Sequence, residues 1–140
     1  MATIKSFTDI DQSKRLAEIL PLDSADHHYV RKVTDFRGNP IDGEWSHPKY
    51  GNPNSKYADY IVQNFTSYEK LPCWSLAALL EIIPRELKII LAVNDYWDGN
   101  AVKYKYAIGS VEHNNYDCYA DNHVDACYEL IIKLHEQNLL

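Results

Sequence analysis

No stretch of this chain is apolar for long enough to cross a bilayer. The longest mostly apolar run, residues 74–83, falls well short of the roughly 20 residues that a spanning helix needs. The first residues, Met1-Ala2-Thr3-Ile4-Lys5-Ser6-Phe7, lack the apolar core of a secretory signal, so a mature chain starting at or near Met1 is expected. Cysteine is scarce. Cys73, Cys118 and Cys127 form an odd set at spacings that suit no disulfide framework, which points to a reducing, cytoplasmic setting. Basic residues are also few: 14 Lys and Arg stand against 20 Asp and Glu, for a net charge of -6. Nonspecific binding to nucleic acid draws on Lys and Arg neutralising phosphates, so direct nucleic-acid binding is not expected. Absent too are a glycine-rich phosphate loop, a serine nucleophile elbow, a His-Glu-x-x-His pair and any repeated module. No cofactor and no metal are expected.

What the chain does have is enough apolar content, 46% of 140 residues, for one domain needing neither metal nor disulfide. The spacing predicts an α+β fold over residues 1–140. An N-terminal helix is expected at about 9–20, with Thr8 as its cap and Asp11 as the capping-box partner, and Pro21 ends it. The run 71–84 is apolar on every side, which predicts a central buried helix at about 73–83. Residues 88–94 read as a strand buried on both faces, and 102–108 as its returning partner, joined through Asp98-Gly99. A third strand is expected around 116–119. The C-terminal helix, about 122–137, carries Asn122 and Asp125 at its start and an apolar face that includes Val124, Cys127, Ile131 and Leu134. The small antiparallel sheet is expected to pack against the central and C-terminal helices. A short strand is predicted at 29–36, and a helical turn within 56–68.

Residues 37–55 form a long irregular loop punctuated by Gly and Pro. It carries Trp45, His47 and Tyr50, large side chains that a merely flexible connection does not need. Together with Trp97, these are the candidate binding residues for a protein partner, on a loop expected to pack back on the body.

Cys73 is the candidate for chemistry, because a thiol near a helix N-terminus ionises more readily and would make a small hydrolase or transferase. A small core cysteine beside Trp74 is the competing reading, and it weighs more. Asp23, Asp26, His27 and His28 invite a metal reading, but adjacent histidines diverge in strand and helix alike. Cys118, His123 and Cys127 do not match a zinc knuckle. The acidity also admits an inhibitor that mimics DNA.

Residues 71–80, residues 120–127 with 133–137, and the segments 6–10 and 16–21 resemble a family of short, uncharacterised proteins of gut bacteria and their phages or other mobile elements. The resemblance covers about half the chain and implies a cytoplasmic, element-borne protein, with no activity attached to it.

Overall fold

The structure is a computed structural model that describes residues 5–53, 65–111 and 116–140. It is α+β, with two three-stranded antiparallel sheets where one was expected. The chain divides into two compact units: Asp9–Ser75, and Met1–Thr8 with Leu76–Leu140.

The first unit opens with α1 (Ile10–Ile19). Its cap is Asp9, one residue later than expected: the Asp9 carboxylate accepts the Gln12 N–H at 2.8 Å, and the side-chain Oε1 of Gln12 accepts the Asp9 N–H at 3.1 Å. Gln12 therefore closes the capping box, and Thr8 is fully buried instead. Strand β1 (His27–Lys32) starts earlier and is shorter than the expected strand. It is flanked by β2 (Lys49–Tyr50) and β3 (Tyr68–Cys73). Helix α1 packs on β3, and the buried residues of this unit include Leu16, Leu20, Leu71, Cys73 and Trp74.

The start of the expected central helix is thus a strand. Leu71, held extended by the following proline, pairs with Tyr29, and Pro72 and Cys73 pair with His28 and His27. Proline is tolerated there because β3 is an edge of its sheet. Trp74 then turns fully inward and donates its indole N–H to Ser24 Oγ at 3.0 Å.

In the second unit, α2 (Leu76–Ile82) is a short helix. Its burial is one-sided: Leu79 is sealed, whereas Ala77 and Glu81 face solvent, so the helix is not apolar-packed all round. Strands β4 (Ile89–Trp97) and β5 (Val102–Ser110) form a hairpin with nine paired positions, and β6 (Cys118–Ala120) is the expected third strand. Helix α3 (His123–Glu136) covers β5 and β6 and packs on α2. Asn122 Oδ1 accepts the Asp125 N–H at 2.8 Å, as the sequence predicts. Lys5 clamps the same turn from the N-terminal segment, 2.7 Å from Asp125. The anticipated helical turn at 56–68 falls mostly outside the described residues, and Tyr68 itself begins β3.

Candidate interaction surface

The β4–β5 hairpin is longer than the helix that supports it. Paired residues share a face, so Leu91, Ile108 and Cys118 lie on one side of the sheet together with Val93, Tyr106, Tyr104, Trp97 and Val102. Ile108 is buried beneath α3. The cover stops at the start of that helix, where His123 meets the Tyr106 ring edge-on at 5.0 Å and its Nε2 lies 3.0 Å from the Ala92 carbonyl oxygen. Beyond this point the same face is open. Trp97 is 66% exposed, Val102 and Tyr104 are each 54% exposed, and Val93 is 50% exposed.

These side chains are held together by the ladder. Trp97 and Val102 are direct cross-strand partners, and Tyr104 and Val93 continue the stripe toward Tyr106. The opposite side of the same stretch is mostly polar, with Asn94, Lys103 and Lys105 beside Tyr96. A strand buried on both faces was therefore the wrong expectation for β4: α3 backs only one face, and only its near half.

The connection at the tip is built to hold its shape. Asp98 accepts the N–H groups of Asn100 and Ala101, each at 2.9 Å, and its own N–H donates to Ala101 at 3.2 Å. Gly99 takes φ +100°, a conformation that only glycine adopts without strain. Lys103 lies 2.8 Å from Asp98. The lysine first, and then the two turn N–H groups, hold the Asp98 carboxyl at about 2, well below its usual range. Trp97 thus projects from a fixed turn.

The other predicted binding residues belong to the first unit. The loop packs back along β1: the N–H groups of Ile41, Gly43 and Ser46 donate to the Val33, Lys32 and Val30 carbonyls at 2.9, 3.2 and 2.9 Å. Trp45 is half-buried, edge-on to Tyr29 at 6.5 Å, with the Arg31 guanidinium 4.8 Å from its ring centre. Glu69 holds that arginine at 2.6 Å. His47 is exposed. Tyr50 is 87% exposed, and its ring meets His27 at 5.5 Å. Trp45 therefore packs on β1, while His47 and Tyr50 face outward.

Cys73 ends β3, three residues before α2 begins, so the helix N-terminus invoked for its activation is not at the thiol. Across the ladder stands His27, whose Nδ1 is 3.0 Å from Asp26. The side chain of Cys73 is fully buried and hydrogen-bonds with the phenol of Tyr29, whose pKa is raised chiefly by its own burial and then by the cysteine. Each histidine of the metal readings has a partner within the chain. His27 turns to Asp26, His28 sets its Nδ1 2.7 Å from the Gly51 carbonyl oxygen, and His123 engages Ala92. Among the described residues no three His, Cys, Asp or Glu side chains gather into a metal-binding group. Nor is any described helix long and apolar enough to cross a membrane.

Val93, Val102 and Tyr104 were missed as surface residues. Their apolar alternation was legible, but the end of α3's cover was not. No family model, curated protein or solved structure matches this chain.

Proposed function

We propose that this is a noncatalytic binding protein that engages a protein partner through the open face of its hairpin. One observation carries the reading: Trp97, Val102, Tyr104 and Val93 expose apolar and aromatic surface on one face of the hairpin, around the single carboxylate of Asp95, beside a turn in which Asp98 binds the Asn100 and Ala101 N–H groups. A soluble surface seldom exposes such a stripe without an occupant, and Trp and Tyr supply rigid contact area at low entropic cost. The net charge of -6 favours a protein over nucleic acid as that occupant.

The test is recovery of crosslinked partners from the native host, comparing wild type with Tyr104→Ala and Trp97→Ala at matched thermal stability. A partner enriched with wild type and lost with both variants supports the reading. An identical set of crosslinked proteins for all three overturns it.

A further inference from the structure

From the outer edge of β4, we infer that two copies of this chain pair edge to edge into one continuous six-stranded antiparallel sheet. The inference concerns the edge of the hairpin rather than its open face, and it does not rest on the partner proposed above.

Among the described residues, β4 is the terminal strand of its sheet. The Val111 N–H donates to Lys88 O and the Asp98 N–H to Ala101 O, each at 3.2 Å, at the two ends of the ladder. Hydrogen-bonded pairs alternate along an antiparallel ladder, so the even-numbered residues between these points bond to β5. The odd-numbered ones, Ile89, Leu91, Val93, Asp95 and Trp97, turn their N–H and C=O groups to the open edge. Protection there is slight: residues 89–97 contain no proline and no lysine, Asp95 is the strand's single charge, and the nine pairs run without a bulge.

The edge is complementary to itself in one register. With the twofold axis at Val93, Ile89 faces Trp97 of the second copy, Leu91 faces Asp95, and Val93 faces its own counterpart. Every outward group then meets an outward group, giving about ten new backbone hydrogen bonds. On the other face Ile90, 53% exposed, comes opposite Tyr96, 41% exposed. A register centred on Leu91 would leave Asp95 and Trp97 unpaired, and one centred on Asp95 would set two carboxylates against each other. Only the Val93 register engages the whole strand with no like charges opposed.

The experiment is sedimentation equilibrium on the full chain, with folding checked by circular dichroism. Wild type is expected at twice 16.2 kDa. Ile90→Glu with Tyr96→Glu, which sets carboxylates opposite each other across the axis, is expected to fall to the monomer mass. Ile90→Lys with Tyr96→Glu restores opposite charges and is expected to return to the dimer. As a second measurement, Val93→Cys is expected to crosslink to itself on mild oxidation, since hydrogen-bonded partners lie about 5.5 Å apart at Cα. A wild-type monomer at the highest soluble concentration overturns the inference. So does a dimer indifferent to both charge pairs.

Discussion

The carboxylate of Asp26 grips Ser75 twice, accepting its N–H at 3.0 Å and its hydroxyl through the other oxygen. The residue just before β1 is thereby tied to the residue following the turn-in of Trp74. Burial pushes the Asp26 carboxyl up, but the two Ser75 bonds and the neighbouring His27 outweigh it and hold the group below its usual 3.8.

A depressed folded-state value means that Asp26 contributes stability above pH 3.8, and that this is lost as pH falls through the folded value. Asp26→Asn is expected to cost about 1 kcal/mol at pH 7, the modest end for a charged acceptor because solvent screens the group. Urea melts of both proteins should converge as pH drops below 3.8. A gap that stays constant to low pH would assign the loss to shape rather than charge.

The three thiols are expected to label in a definite order. Cys118 is partly exposed, whereas Cys73 and Cys127 are buried; burial pushes Cys127 up to about 12. Mass spectrometry after brief alkylation at neutral pH should find Cys118 modified first, and the other two only on unfolding. Rapid labelling of Cys73 in the folded protein would instead revive the hydrolase reading, with His27 and Asp26 as its partners.

At Gly43 the loop approaches β1 so closely that an added Cβ would lie 2.3 Å from the Lys32 carbonyl oxygen. Backbone cannot swing aside as a side chain can. Gly43→Ala is therefore expected to cost roughly 1–3 kcal/mol in denaturant melts and to speed amide exchange at Ile41 and Ser46. Unchanged exchange at these amides would show that the loop's pairing with β1 survives the substitution.

Trp74→Ala is expected to be among the most damaging single changes, at about 3–5 kcal/mol, because it empties the largest fully buried site among the described residues. Trp74→Phe keeps most of the volume and loses the bond to Ser24, so calorimetry should place it between the two. An alanine variant as stable as wild type would remove Trp74 from the core.

The sequence by itself determined the elements whose signals are local. The capping contact of Asn122 with Asp125 and the apolar spacing of Val124, Cys127, Ile131 and Leu134 defined α3, and all four of those residues are fully buried. The Asp98-Gly99 turn and its flanking alternation located the hairpin. Tertiary structure alone decided the rest. Residues 71–73 are apolar enough for a helix, yet pairing with residues 27–29 made them a strand, because a ladder partner distant in sequence leaves no trace in local periodicity. The exposure of Val93 and Tyr104 was likewise invisible, since it depends on where α3 ends against the sheet, and composition does not encode that distance.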